Sequence, residues 1–115
     1  MTIAVRGERG HHPLVESAAY FCCLEAVQNA ARHSAAATIA VSIDSDPQAL
    51  RFTVADDGVG FDPDRPRTGS GLANITDRIE ALGGEARIES RPGGGTRVSG
   101  VIPAQPAGRS PTAAR

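Results

Sequence analysis

The sequence predicts an α/β two-layer sandwich, in which one sheet of about five strands is covered on one face by helices. Three observations support this fold class. Five short segments are apolar or alternate apolar and polar residues, two longer segments repeat apolar residues at helical spacing, and turn residues separate them. The 115 residues suffice for one domain with the order β-α-β-β-α-β-β.

The first half of the chain is predicted to form a strand, a long helix and a hairpin. Residues 2–6 alternate apolar and polar side chains, as a short strand does, and residues 14–34 repeat apolar side chains at helical spacing. Strands are predicted over 37–44 and 50–55, on either side of a turn rich in Asp and Ser with one Pro. Because the connection is short, these two strands should pair as an antiparallel hairpin.

The second half is predicted to form a loop, a helix and two strands. The loop covers 56–71, and the amphipathic helix over 72–82 ends at two glycines, which are typical of helix C-termini. Strands are predicted over 86–90 and 97–102. The folded domain should therefore span 1–103. Residues 104–115 contain Pro, Ala, Gly and Ser without periodicity, and they are predicted to form a disordered C-terminal tail.

Composition and charge disfavour several classes of function. A net charge of −1 and 3% aromatic residues provide neither the basic patch nor the stacking surface of a nucleic-acid binder. No apolar run approaches the roughly 20 residues that span a bilayer. Cys22 and Cys23 are adjacent on the long helix and point about 100° apart, so they are expected to be buried, reduced thiols. The fragment is therefore expected in the cytoplasm, without nucleic acid and without direct insertion into a membrane.

The long helix carries a carboxylate and an amide on one face. Glu25 and Asn29 are four residues apart, and His33 continues the stripe one turn later, with Arg32 beside it. A carboxylate within an apolar stretch needs a partner, and Mg²⁺ prefers oxygen ligands such as an Asn carbonyl. The same pattern is also typical of a helix with one hydrated edge.

An acidic turn with two glycines follows the third strand directly, in the run Asp56-Asp57-Gly58-Val59-Gly60-Phe61. The glycines allow positive φ and let a flat ligand approach the backbone. A carboxylate only accepts hydrogen bonds, which suits the exocyclic amino group of adenine. Asp-Gly is also a common turn dipeptide. Only the second glycine and the phenylalanine are not required by a simple turn and so favour a ligand site.

A glycine pair precedes the second helix, in the run Gly69-Ser70-Gly71-Leu72. Backbone N–H groups at a helix N-terminus form an anion site, although such a pair is also an ordinary helix entry. Asn74 stands where a dinucleotide fingerprint has its third glycine, and no Gly-Lys-Ser/Thr follows, so those two nucleotide folds are disfavoured. The later run Gly93-Gly94-Gly95-Thr96 predicts a hairpin loop whose threonine could offer a hydroxyl to a ligand lying on the sheet.

In order and spacing, these motifs resemble the ATP-binding catalytic (HATPase) domain of bacterial two-component sensor histidine kinases, within the GHKL superfamily shared with gyrase B, MutL and the large heat-shock chaperones. Glu25-x-x-x-Asn29-Ala30-x-Arg32-His33 is similar to the N box of that family. The acidic turn resembles its first glycine box and the glycine pair its second. The match runs from about residue 14 to residue 103 and includes Arg78-Ile79, Leu82-Gly83-Gly84, Ser90 and Gly95-Thr96. It implies a Bergerat-type sandwich with a mixed sheet.

The resemblance implies a Mg·ATP site. Asn29 would ligate Mg²⁺ on the phosphates, and Glu25 would be the catalytic carboxylate that orients water or the metal shell. Asp56 would accept a hydrogen bond from the adenine amino group, and Thr96 would support the adenine end through water. The remaining nucleotide-binding residues implied are Arg32 and His33 near the phosphates, Gly58 and Gly60 around the base, and Gly69, Gly71 and Leu72 at the helix start.

The lid implied by the resemblance, residues 61–71, is short, as in the subgroup whose partners are helix-turn-helix response regulators. Arg65 and Arg67 would add positive charge there. Two departures from the family pattern are Asp57, where many relatives carry Asn, and the lack of a separate phenylalanine box in the lid.

No segment before residue 14 could form the helical hairpin that carries the phosphoacceptor histidine of such kinases. The resemblance therefore implies an excised domain, or a partner that acts on another chain. In either case it would phosphorylate a histidine on a separate dimerisation domain and serve a response regulator indirectly. The full-length protein could be anchored in a membrane. An anti-sigma-factor-type serine kinase of the same superfamily is the alternative, because it needs no acceptor histidine, and a non-enzymatic interaction module is a third reading.

Overall fold

The computed structural model describes residues 1–7, 11–33, 38–60 and 71–104, and within them seven elements follow the predicted order. The elements are β1 (Thr2–Gly7), α1 (Pro13–His33), β2 (Ile39–Ser45), β3 (Ala49–Asp56), α2 (Leu72–Glu80), β4 (Glu85–Ser90) and β5 (Thr96–Pro103). None of these helices is long and apolar enough to cross a membrane, as far as the described residues extend.

The five strands form one mixed sheet in the order β1-β2-β3-β5-β4. β1 runs parallel to β2, and the other three pairs are antiparallel. The predicted β2–β3 hairpin is present. Its turn is held by Asp46, whose Oδ1 accepts the N–H groups of Gln48 at 2.8 Å and Ala49 at 3.0 Å. The predicted fold class is thus confirmed.

Both helices lie on the same face of the sheet, and the core between the two layers is mainly aliphatic. α1 packs on β3 and β5, and α2 packs on β4 and against α1. The apolar stripe of α2 is buried because its members recur at helical spacing. The largest fully buried side chains are Phe52, Ile75, Ile79, Ile102, Val15 and Cys22.

The two cysteines are buried and free, as predicted. Burial raises the pKa of the Cys22 thiol to about 11 and that of Cys23 to about 12, because a thiolate is poorly solvated inside the core. Nearby, the guanidinium of Arg78 on α2 lies 3.7 Å from the centre of the Phe21 ring on α1. This cation–π contact ties the two helices together next to the thiols.

Element ends differ from the predicted ones by up to two residues. The predicted helix end at Leu82 is wrong, because α2 stops at Glu80 and a turn follows, in which the N–H of Gly84 donates to the carbonyl of Ile79 at 3.0 Å. At the other end of the domain, Ala104 donates its N–H to the carbonyl of Gln48 at 2.8 Å. The rest of the proposed tail, 105–115, lies outside the described residues, and the domain boundary stays a prediction.

Candidate functional site

A row of three polar residues crosses the end of the sheet. Asp56 at the end of β3 lies opposite Thr96 at the start of β5, and Thr96 lies opposite Ser90 at the end of β4. Strand alternation places Asp56 and Thr96 on the same face as the buried Val54 and Val98, which is the face covered by helices. The three residues line a cavity of about 600 Å³ at the end of the sheet, whose lining also includes Ala55, Glu89 and Arg97 from the other face. Thr96 is only 5% exposed.

Asp56 is held at the mouth of this cavity by its own turn. Its Oδ1 accepts the N–H of Gly58 at 2.8 Å. The next residue, Asp57, has a structural role: its Oδ1 accepts the N–H of Thr38 at 2.9 Å, which ties the end of β3 to the start of β2. Of the two glycines predicted to use positive φ, Gly60 does so at 66°, whereas Gly58 is not among the described glycines with positive φ.

Two stretches of main chain pack closely together beside this row. The acidic turn packs onto the β4–β5 loop, where the N–H of Gly93 donates to the carbonyl of Val59. A Cβ at Gly60 would overlap the carbonyl oxygen of Arg91 and lie 2.9 Å from that of Gly95. Only a residue without a side chain allows two backbones to approach this closely.

A second cluster lies where α1 faces the start of α2. One carboxylate oxygen of Glu25 touches Gly71, so that a Cβ built at Gly71 would overlap it. Gly71 is the N-cap of α2, with φ 86° and no side-chain cap. The carboxylate therefore lies at the positive end of the helix dipole, where negative charge is stabilised.

Asn29, one turn after Glu25, has a side-chain oxygen that is buried without a hydrogen-bond partner among the described residues. This oxygen is Oδ1, and the residue as a whole is 8% exposed. Leaving a buried acceptor unsatisfied costs roughly 1–3 kcal/mol, so such atoms usually have a function. An orphaned amide oxygen beside a carboxylate fits a hard cation such as Mg²⁺, which binds through oxygen and keeps other positions for water and phosphate.

The remaining predicted site residues are placed only in part. Arg32 is exposed in the last turn of α1, and His33 ends that helix, with nothing described of its side chain. Leu72 is buried in the core, so its side chain supports the helix and only its main chain is at the helix start. Gly69, Phe61, Arg65 and Arg67 lie outside the described residues.

Residues 15–106 match a family model described as "Histidine kinase-, DNA gyrase B-, and HSP90-like ATPase". Curated relatives include an uncharacterized sensor-like histidine kinase of Chloroflexus aurantiacus, 40% identical over 77% of this chain and 16% of its own length. Sensor histidine kinase YdfH of Bacillus subtilis is 37% identical over 75% of this chain and 22% of its own length. The chain thus spans less than a quarter of the length of these relatives.

Solved structures show the same fold. The histidine kinase domain of the blue-light activated histidine kinase of Erythrobacter litoralis EL346 is 25% identical, with a TM-score of 0.65 over 90% of this chain and 54% of that one. The catalytic domain of histidine kinase ThkA superposes with a TM-score of 0.67 at 20% identity, over 94% of this chain and 80% of that one. At that identity the second likeness concerns the fold alone.

Proposed function

Because the chain belongs to the family of histidine kinase-, DNA gyrase B- and HSP90-like ATPases, we propose that it binds Mg·ATP as the catalytic domain of a sensor histidine kinase. It would present the γ-phosphate to a histidine on a separate dimerisation domain. One observation carries the proposal: Oδ1 of Asn29 is buried without a hydrogen-bond partner among the described residues. Asn29 follows Glu25 by one helical turn, and the Glu25 carboxylate lies at the start of α2.

The adenine end of the ligand would lie in the cavity at the end of the sheet. Asp56 would accept a hydrogen bond from the exocyclic amino group, and Thr96, its cross-strand partner, would support the same edge of the base. The acidic turn with its two glycines, Gly58 and Gly60, would shape the entrance for the flat ring without side chains in the way.

The phosphate end would lie between α1 and the start of α2. Asn29 would hold Mg²⁺ through its Oδ1, with Glu25 beside the metal shell, and Gly69, Gly71 and the main chain of Leu72 would direct N–H groups at the phosphates. Bound Mg²⁺ would neutralise phosphate charge. This arrangement explains how a carboxylate and a polyphosphate could share one helix N-terminus, since without a cation they would repel each other. Arg32 and His33 would add donors nearby.

The transfer step would use this site chiefly for positioning and charge stabilisation. A lone pair on a ring nitrogen of the acceptor histidine forms the new bond to the γ-phosphorus. The bond between that phosphorus and the β–γ bridging oxygen breaks, and ADP leaves with the electron pair. The acceptor ring then releases the proton from its other nitrogen to solvent or to a carboxylate, for which Glu25 is the candidate.

The wider setting follows from the relatives and stays part of the proposal. The dimerisation domain of the same kinase would be the direct partner, and a response regulator would receive the phosphate indirectly. The domain would work in the cytoplasm and bind no nucleic acid. The serine-kinase alternative is not favoured, because the similar curated proteins are named as sensor histidine kinases.

Titration of the chain with ATP and Mg²⁺, followed by thermal unfolding, tests the proposal. Ligand linkage predicts a stabilisation of about 2.7 kcal/mol at a hundredfold excess over Kd. Asp56→Ala should abolish the shift, whereas Asp46→Ala, which alters an exposed turn far along the hairpin, should retain it. A wild-type chain that shows no shift with ATP, ADP or a non-hydrolysable analogue would refute nucleotide binding. Labelled ATP with isolated acceptor domains then tests for phosphohistidine against phosphoserine, which acid lability separates.

A further inference from the structure

We propose that Ser90 is a positioning residue for base selection, because it fixes the direction of the hydrogen bond made by the Thr96 hydroxyl. The inference rests on the proposed function and deepens it, since it concerns which purine the cavity accepts. In the sequence, Thr96 is a candidate to contact a ligand lying on the sheet, whereas Ser90 is only part of the family resemblance at the end of the domain. The pairing of β4 with β5 relates the two residues, because Ser90 and Thr96 lie directly opposite each other in it.

Two of the hydrogen bonds that Ser90 makes within the described residues determine where the hydroxyl protons lie. Its Oγ is 3.0 Å from the carbonyl oxygen of Gly95 and 2.9 Å from Oγ1 of Thr96. A carbonyl oxygen only accepts, so the single hydroxyl hydrogen of Ser90 is donated to Gly95. The bond between the two hydroxyls must then run the other way, with Thr96 donating and Ser90 accepting.

The consequence for Thr96 is that its only hydroxyl hydrogen is already used inside the protein. What Thr96 Oγ1 can offer to the cavity is therefore a lone pair. Its cross-strand partner Asp56 is a carboxylate, which likewise only accepts. The end of the sheet thus presents two acceptors side by side and no hydroxyl donor from this row.

A ligand edge placed against two acceptors must bring hydrogens of its own. The 6-amino group of adenine carries two hydrogens, whereas a 6-oxo purine places a third acceptor at the same point. Sites with fixed hydrogen-bond polarity reject the mismatched analogue far more strongly than sites that merely lose an apolar contact. Ser90 would therefore contribute to the preference for ATP over inosine triphosphate by fixing the direction of the Thr96 hydroxyl.

The test is the ratio of the Kd values for inosine triphosphate and ATP, measured by calorimetry on the chain with Mg²⁺. Removing the acceptor in Ser90→Ala frees the Thr96 hydrogen to turn toward the cavity, where it can donate to a 6-oxo group. We expect the ratio to fall by about tenfold, the change that one redirected hydrogen bond typically produces. Ser90→Thr keeps a hydroxyl and should restore the wild-type ratio.

Control variants separate a change in the direction of the Thr96 hydrogen bond from a general loss of nucleotide binding. Ser99→Ala removes a hydroxyl from the opposite face of β5 and should leave the ratio unchanged. A Ser90→Ala chain that loses affinity for both nucleotides by the same factor overturns the inference, because a purely structural role would act on both equally. If Ser90→Ala does not fold, Ser90→Cys gives a weaker acceptor and must shift the ratio in the same direction. A wild-type chain that binds neither nucleotide refutes the proposed function itself, which is a distinguishable result.

Discussion

A carboxylate oxygen of Glu25 occupies the place that a Cβ of Gly71 would take, so that a side chain of α1 reaches the N-cap residue of α2. A side chain at position 71 would have to displace this carboxylate, and Gly71 also has φ 86°, which L-residues rarely adopt. The start of α2, the candidate phosphate site, therefore has the carboxylate of Glu25 from the other helix beside it.

Gly71→Ala should lower the free energy of unfolding and weaken ATP binding. The left-handed backbone alone costs roughly 1–2 kcal/mol in an L-residue, and the overlap with Glu25 adds to it. Gly93→Ala is the matched control, because Gly93 has φ 78° and nothing within 4 Å of its missing Cβ. Urea unfolding should show a larger loss for Gly71→Ala, and adding Glu25→Ala should remove the excess. Equal losses in the two single variants would contradict the contact.

Asn29→Ala should separate stability from metal dependence. Because Asn29 Oδ1 has no partner among the described residues, its removal deletes an unsatisfied acceptor, and the free energy of unfolding without ligand should change by less than about 1 kcal/mol. The increase in ATP affinity that Mg²⁺ produces should disappear. Calorimetric titration of ATP with and without Mg²⁺ measures this. A large loss of unliganded stability with intact Mg²⁺ dependence would show that the side chain is structural.

Asp46 should make stability fall at acidic pH. The N–H groups of Gln48 and Ala49, and then Arg51, hold the pKa of this carboxyl below its ordinary value of 3.8. A pKa lowered by folding stabilises the fold above the ordinary value, and that stabilisation is lost as pH falls through the folded value. Urea midpoints of wild type and Asp46→Ala should therefore differ at pH 7 and converge below about pH 4. A difference that stays constant to pH 2 would contradict the assignment.

Cys22 and Cys23 should resist alkylation in the folded chain. Their pKa values, raised to about 11 and about 12 by burial, leave almost no reactive thiolate at neutral pH. Iodoacetamide labelling at pH 7.5 should be slow in buffer and fast in urea, with ATP slowing it further if the ligand stabilises the fold. Rapid labelling of the native chain would place at least one thiol at the surface.

Sequence patterns predicted the elements well because their causes are local. The β2–β3 hairpin follows from a short turn, and the stripe of α2 follows from helical spacing. The placement of β5 between β3 and β4, and the parallel pairing of β1, depend on contacts between distant segments, which alternation alone does not specify. Only the resemblance to a kinase family indicated a mixed sheet of the Bergerat type.

The candidate site likewise has residues that sequence motifs identified and contacts that only the packing of distant segments creates. Residue type and spacing identified Asp56, Asn29 and Thr96 as candidates, because each belongs to a short motif. The contact between Glu25 and Gly71 could not be predicted, since it depends on how α1 and α2 pack. The structural use of Asp57, which bonds to Thr38 across the hairpin, was hidden because the same residue type also suits a ligand.

Because the polar row at the end of the sheet draws its residues from three strands, nucleotide binding also depends on the register between those strands. Asp56, Thr96 and Ser90 meet only in one alignment of β3, β5 and β4. A slip of one residue would turn the Thr96 hydroxyl to the opposite face and bring Gly95 or Arg97 into its place. Deleting one residue within β5 should therefore eliminate recognition of the base outright, even in a chain that still collapses to a compact sheet, and ATP could be used to screen variants for correctly aligned strands.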